Sequence, residues 1–132
     1  MATHIEDFER WHPWALDADA AVTLGLACEN AGRAADPRIG NSEGAAVHST
    51  ESIGVYANSH GFVGGERGTS HSMSCSLIAG SGEAMQRDDW YTLGLAATDL
   101  ESPEAVGRRA AERALARLDP RRAPTGRFPV LF

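Results

Sequence analysis

Residues 72–77 read Ser-Met-Ser-Cys-Ser-Leu, so that a serine alternates with a larger apolar side chain at every step. Successive side chains of a β-strand point to opposite faces of a sheet, and this alternation therefore predicts a strand with one buried and one wet face. The buried face would carry Met73, Cys75 and Leu77. This strand decides the fold, because the other elements must cover its apolar side.

The period of two continues on both sides of this stretch. It predicts four strands, joined by short turns rich in Ser, Gly and Asn, at residues 39–49, 52–58, 62–78 and 85–95. Connections this short favour neighbouring antiparallel strands over parallel ones, which need long crossovers. We therefore expect an antiparallel meander.

Helical spacing replaces the period of two at both ends of the chain. Asp17 is placed to cap a first helix, which Gly32 and Pro37 end, and Ser102 followed by Pro103 begins a second one. The apolar stripe of the second helix comprises Val106, Ala110, Ala114, Leu115 and Leu118.

These patterns predict one α+β domain over residues 1–132. Its antiparallel sheet would have four to five strands in a meander, with an N-terminal and a C-terminal helix packed on one face. Residues 1–16 would form an irregular lead-in. A further apolar segment, residues 128–132, ends the chain and is a candidate for an exposed strand edge that promotes self-association into a homo-oligomer.

Composition excludes several functions. The net charge is -6, and all 12 cationic residues are arginine. Without a lysine, neither a Schiff base nor a phosphate-loop lysine is available, and an acidic chain is a poor direct partner for nucleic acid.

No stretch has the apolar length of a membrane span, so we expect a soluble, cytoplasmic protein. Two cysteines, Cys28 and Cys75, are interpreted as small core residues.

The residue types of catalytic sites are present, but not at catalytic spacing. The histidines contain no H-E-x-x-H arrangement, and a zinc site from His48, His60, His71 and Cys75 would require convergence across strands. Residues 40–44 match G-x-S-x-G, but an extended pattern follows them where a nucleophile elbow needs a helix.

Asp88 and Asp89 would point to opposite faces of a strand and cannot share a proton. We expect no catalytic residue and no metal ligand in this chain.

Aromatic residues on the predicted strands suggest a binding surface. Core and cross-strand packing is the alternative explanation for aromatic residues at such positions. Aromatic-rich sheet faces also receive extended peptides and partner domains. The candidate peptide or interface surface comprises Tyr56, His60, Phe62, Trp90, Tyr91 and Phe132.

An ordered set of short blocks connects this chain to a known family. The blocks lie at 41–44 (Asn-Ser-Glu-Gly), 58–61 (Asn-Ser-His-Gly), 70–75 (Ser-His-Ser-Met-Ser-Cys), 87–92 (Arg-Asp-Asp-Trp-Tyr-Thr) and 102–107 (Ser-Pro-Glu-Ala-Val-Gly). In order and spacing, from about residue 11 to 132, the chain resembles the middle domain of a PmbA-type member of the TldD/PmbA family of peptide-processing metalloproteases, also labelled "modulator of DNA gyrase". No single block is specific to this family, whereas the ordered set of blocks is.

The resemblance implies a noncatalytic domain in a zinc metalloprotease that matures or degrades peptides. Zinc is expected on a TldD-type partner subunit, and no cofactor is expected in this chain. The implied partners are that subunit and unfolded peptide substrate, and the domain would contribute to the peptide chamber or to the subunit interface. The alternative is a stand-alone regulatory or assembly module without peptidase activity.

Overall fold

The computed structural model describes residues 6–131 of the chain. Its elements, in chain order, are α1 (Ala18–Arg33), β1 (Ile39–Ala57), β2 (Val63–Ala79), a 3₁₀ turn (Gly82–Ala84), β3 (Gln86–Gly94), a second 3₁₀ turn (Ala97–Asp99) and α2 (Pro103–Ala116). The strands form one antiparallel sheet in the order β1-β2-β3. The class is α+β, with a meander and two helices as expected.

The expected number of strands was wrong: over the described residues 6–131 the sheet has three strands and not four to five. The predicted strands 39–49 and 52–58 are one strand, β1, because Thr50 and Glu51 between them offer no turn chemistry. Thr50 and Glu51 instead pair with Ser70 and Thr69 of β2 without a register shift. Residues 128–131, which could have supplied a fifth strand, are not in a strand.

Both predicted helix starts are confirmed. The Asp17 carboxylate accepts a hydrogen bond from the Ala20 N–H at 2.7 Å, and the Ser102 hydroxyl oxygen accepts one from the Ala105 N–H at 3.2 Å. Each side chain thereby satisfies a backbone donor that the first helical turn leaves free. Pro103 occupies the first position of α2, where its missing N–H costs nothing.

The hydrophobic core lies between the two helices and the half of β2 that all three strands share. Met73, Cys75 and Leu77 are at most 2% exposed, which confirms the alternation from which the fold was predicted. The residues that cover them from the helices are small or β-branched: Cys28, Val106, Ala110, Ala111 and Ala114. The small residues allow both helices to approach the sheet closely.

Glycine sets the distance between the helices. A Cβ atom on Gly107 of α2 would overlap the carbonyl oxygen of Cys28 in α1. A Cβ on Gly32 would lie only 2.8 Å from the Gly107 carbonyl oxygen. The two helix backbones are therefore in direct contact at this crossing, where no side chain fits between them.

Beyond the core, β1 and β2 continue as a two-stranded projection, here called the hairpin arm (residues 50–67). β3 pairs with β2 only from His71 onward, so in the described part of the chain no third strand joins the arm. Its apolar side chains are exposed: Ile53 by 78%, Val55 by 72% and Val63 by 73%. At its tip Asn58 pairs with Phe62, and Gly61 adopts the left-handed φ of 85° that the turn requires.

Candidate functional site

The N-terminal segment (residues 6–17) has no helix or strand and binds the edge of β2 where β3 ends. The Thr69 N–H donates to the Arg10 carbonyl oxygen at 2.9 Å, and the Thr69 hydroxyl oxygen accepts from the His12 N–H at 3.0 Å. The same hydroxyl donates to the Leu95 carbonyl oxygen at 2.7 Å. Thr69 thus joins the segment, β2 and the end of β3.

His71 completes this attachment and is fully buried. Its Nε2 lies 2.9 Å from the His12 carbonyl oxygen, which can only accept, so Nε2 carries the hydrogen. In the neutral ring Nδ1 then accepts from the Ser49 hydroxyl at 3.0 Å. The Trp14 ring packs edge-on at 5.4 Å between centroids. Both ring nitrogens are used structurally, and neither is directed at a solvent-filled site.

A cleft of about 680 Å³ opens between the N-terminal segment and the hairpin arm. Phe8, Trp11 and Ile53 supply its apolar walls, and the Arg67 guanidinium stacks over the Trp11 ring at 5.1 Å. The remaining charged side chains are mostly acidic, and they are Glu6, Asp7, Glu9 and Glu66, together with Arg10. Arg10 pairs with Glu66 at 3.5 Å, which leaves the cleft with acidic character.

The aromatic residues of the predicted binding surface occupy two separate places. Tyr56 and Phe62 meet at the arm tip with 6.0 Å between ring centroids, beside the exposed His60. Trp90 and Tyr91 lie on β3. Phe132 lies outside the described residues.

The separation of the two places follows from the register. Tyr56 is opposite Gly64 and Trp90 is opposite Cys75, so the two groups are 11 residues apart along β2. At about 3.3 Å per residue the separation is roughly 35 Å. No single groove can include both groups, and each group stays a separate candidate surface.

Trp90 lies on the helix side of β3 and is covered by arginines. The guanidinium groups of Arg109 and Arg113 lie 5.3 and 5.5 Å from its ring centroid, and its Nε1–H donates to a Glu101 carboxylate oxygen at 3.2 Å. Cation–π contacts of this kind hold α2 against the sheet edge. Tyr91 is on the opposite face and 59% exposed.

Asp88 forms an ion-pair cluster with α2. Its carboxylate accepts from Arg117 at 2.5 Å and from Arg113 at 3.1 Å. Hydrogen bonds from Arg117, from the Asp89 backbone and from Arg113 lower the pKa of Asp88 to about 2. Asp89 is paired with Ser76 on the other face, which confirms that the two carboxylates do not meet.

The Asp88 cluster predicts a loss of stability in acid. An unfolded aspartate has a pKa near 3.9 and the folded one is lower, so the stabilisation is complete above about pH 4 and lost as pH falls towards 2. We expect Asp88→Asn to lower the free energy of unfolding by about 1 kcal/mol at pH 7, since the arginines are half exposed. Urea unfolding at several pH values should show this difference shrink between pH 4 and 2; a difference independent of pH would contradict the assignment.

The residues considered for a zinc site do not converge. His48 lies on the open sheet face, His60 at the arm tip and Cys75 in the core. Within residues 6–131, no three His, Cys, Asp or Glu side chains are grouped as metal ligands. A hydrogen bond to the Cys75 thiol, together with burial, raises the pKa of Cys28, so this thiol is held in its unreactive protonated form.

The G-x-S-x-G match lies inside a strand. Ser42 is part of β1, and its hydroxyl donates to the Ser76 carbonyl oxygen at 3.3 Å and accepts from the Gly44 N–H at 2.8 Å. These bonds support the irregular register between Ser42 and Gly44. The serine shapes a β-bulge and does not occupy a strand-to-helix turn.

Sequence comparison places this fold among known proteins. Residues 11–118 match the model of the PmbA/TldA metallopeptidase central domain. Metalloprotease PmbA of Escherichia coli O157:H7 is 40% identical over all 132 residues, and a PmbA homologue of Haemophilus influenzae is 38% identical over the same length. The chain spans 29% of the length of each relative.

A solved structure shares the fold. The putative modulator of a DNA gyrase from Thermotoga maritima superposes with a TM-score of 0.74 at 21% identity, over 96% of this chain and 28% of that one. None of the helices described between residues 6 and 131 combines the length and apolarity needed to cross a membrane. From the family match and the identity to PmbA proteins, the chain belongs to the PmbA/TldD metallopeptidase family and corresponds to its central domain.

Proposed function

We propose that this chain acts as a noncatalytic central domain of a PmbA-type subunit in a cytoplasmic, peptide-processing zinc metalloprotease. Its role is to shape the peptide chamber or the subunit interface, while a TldD-type partner holds the zinc. The family match supports the domain assignment. The extent of exposed apolar surface supports the interface role.

The accessible surface is large for the size of the chain. It measures 9700 Å², whereas a compact 14.0 kDa monomer exposes about 6,700 Å². A standard interface covers about 800 Å² on each partner, so the excess is enough for more than one contact. The hairpin arm contributes exposed Ile53, Val55 and Val63, and residues 128–131 contribute Phe128, Val130 and Leu131. This excess is the observation that carries the proposal.

The internal polar chemistry also supports a structural role. Among the described residues, every buried side-chain nitrogen or oxygen has a hydrogen-bond partner. His71 and Asp88, the groups that most resemble catalytic residues, use their polar atoms to hold the N-terminal segment and α2. Catalytic groups must instead face a substrate.

The proposal is tested by co-purification. We expect a tagged copy of this chain to retain a TldD-type subunit. Tyr56→Ser combined with Phe62→Ser at the arm tip should weaken retention if the tip is the contact, and Tyr91→Ser should weaken it if the exposed face of β3 is the contact. Val22→Ser, at an exposed residue of α1 that belongs to neither candidate surface, serves as the control. Circular dichroism confirms that each variant is folded. A folded chain that retains no partner at micromolar concentrations would overturn the interface role.

A second expected result concerns metal and peptidase activity. We expect the purified chain alone to bind no stoichiometric zinc and to cleave no fluorescent unfolded peptide, because metal-assisted hydrolysis needs at least three ligands and an open water position. Metal analysis of the chain, with a His48→Ala variant as control, measures this directly. One zinc per chain, lost in the variant together with cleavage, would contradict the noncatalytic role.

A stand-alone assembly module is the second candidate, and the outer edge of β1, which pairs with no strand among residues 6–131, favours it. Such a module would assemble with copies of itself and would not retain a TldD-type subunit. The co-purification experiment therefore separates the two candidates.

A further inference from the structure

The outer edge of β1 is the longest open strand edge of the sheet. β1 stands at one side of the strand order, and in the structure of residues 6–131 no strand pairs with its outer edge. Helix α1 lies over Ala45 and Val47, so the part of β1 in the hairpin arm is clear of both helices. The arm strand carries no proline or lysine, the residues that commonly protect such edges.

The register shows which backbone groups face outward. The Asn58 N–H donates to the Phe62 carbonyl oxygen at 3.0 Å, and hydrogen-bonded pairs alternate with non-bonded pairs along an antiparallel ladder. The register is unbroken from Gly44 to Ala57, so even-numbered residues of the arm bond to β2. The N–H and C=O groups of the odd-numbered residues therefore point away from β2.

Thr69 gives independent support for this assignment. It is opposite Glu51 in the register, and its own N–H points away from β1 to reach the Arg10 carbonyl oxygen. Odd positions on both strands thus direct their backbone groups outward. On β1 these positions are Ser49, Glu51, Ile53, Val55 and Ala57.

A second copy of this chain fits that edge. We infer that two copies pair through β1 in antiparallel orientation, with Ile53 on the two-fold axis, to form a continuous six-stranded sheet. In this register the outward groups of residues 49, 51, 53, 55 and 57 face those of residues 57, 55, 53, 51 and 49 of the other copy. Each facing pair exchanges two hydrogen bonds, about ten in total.

Side-chain chemistry selects this register over its neighbours. With Ile53 on the axis, the two Ile53 side chains are opposite each other and Glu51 is opposite Val55. An axis at Glu51 would place two carboxylates directly opposite, which is unfavourable. An axis at Val55 would leave fewer residues paired, because β1 ends at Ala57. The inference concerns this chain alone and does not depend on a TldD-type partner.

Sedimentation velocity across a concentration series tests the pairing. We expect a monomer–dimer equilibrium with a limiting mass twice the 14.0 kDa of the chain. Ile53→Lys should raise the dissociation constant by about 10-fold or more, because it places two like charges on the axis and removes the apolar pair. Val63→Lys is the matched control: Val63 is similarly exposed but belongs to β2, and this variant should dimerise like the parent.

Residue-resolved amide exchange provides a second readout that does not depend on a substitution. Protection of the Glu51, Ile53 and Val55 N–H groups should rise with protein concentration, whereas Ser52, Gly54 and Tyr56 should be protected at every concentration. Removal of residues 128–132 should leave the dimer intact. A monomer at millimolar concentration, equal weakening by Val63→Lys, or a dimer that is lost with residues 128–132 and kept in Ile53→Lys would each overturn the inference.

Discussion

Replacing Gly107 with alanine is expected to destabilise the domain by about 3 kcal/mol or more, and the same replacement at Gly25 is expected to stabilise it by about 0.5–1 kcal/mol. Both glycines lie inside helices, where alanine is intrinsically preferred. The two expected effects differ in sign because the space available for an added Cβ atom differs between the two positions. A Cβ on Gly107 overlaps the Cys28 carbonyl oxygen, which belongs to a helix backbone and cannot rotate away, whereas a Cβ on Gly25 meets nothing within 4 Å.

Urea unfolding of the two variants and the parent, monitored by circular dichroism, measures both effects. The comparison is matched because each variant adds one methyl group to a helical glycine. We expect Gly107→Ala to lower the free energy of unfolding and Gly25→Ala to raise it. If Gly107→Ala were as stable as the parent, the helices would not cross at Gly32 and Gly107 as the structure describes.

Replacing Val106 with aspartate is expected to unfold the domain. Val106 is fully buried beside Ala110 and Ala114, and an unpaired charge there costs several kcal/mol, comparable with a total stability of roughly 5–15 kcal/mol. Leu115→Asp should have a smaller effect, because position 115 is only partly buried and water can still reach the carboxylate of the introduced aspartate.

Thermal unfolding of the two aspartate variants gives the test, with Leu93→Asp as a control on the exposed face, where Leu93 is 62% exposed. The expected order of melting temperatures is parent and Leu93→Asp highest, Leu115→Asp lower, and Val106→Asp without a cooperative transition. A Val106→Asp variant that melts like the parent would show that the apolar stripe of α2 does not pack on the sheet.

Local sequence signals predicted the parts of this fold that depend on neighbouring residues. Asp17 and Ser102 were recognisable as caps because capping involves only the next three residues. The buried face of β2 was recognisable from strict alternation. The alternation also extends back to His71 and Thr69, so their burial is predictable from their odd positions.

Other features depended on partners distant in sequence. The Ser-Thr-Glu-Ser stretch at 49–52 separates two apolar patterns in the sequence, but pairing with β2 keeps β1 continuous through it. The role of Gly107 follows only from the position of α1, 79 residues earlier at Cys28. The two separate locations of the aromatic residues likewise required the register of the whole sheet.

The attachment of the N-terminal segment determines where the chain enters and leaves this unit. The segment is fixed at His71 through the His12 carbonyl oxygen, and the chain departs after α2 where Leu118 packs against Gly80. Gly80 directly follows β2, so these two anchors are nine residues apart, roughly 30 Å along a strand. The sheet therefore acts as a spacer that holds the N-terminal segment and the end of α2 at opposite ends of its three-stranded part.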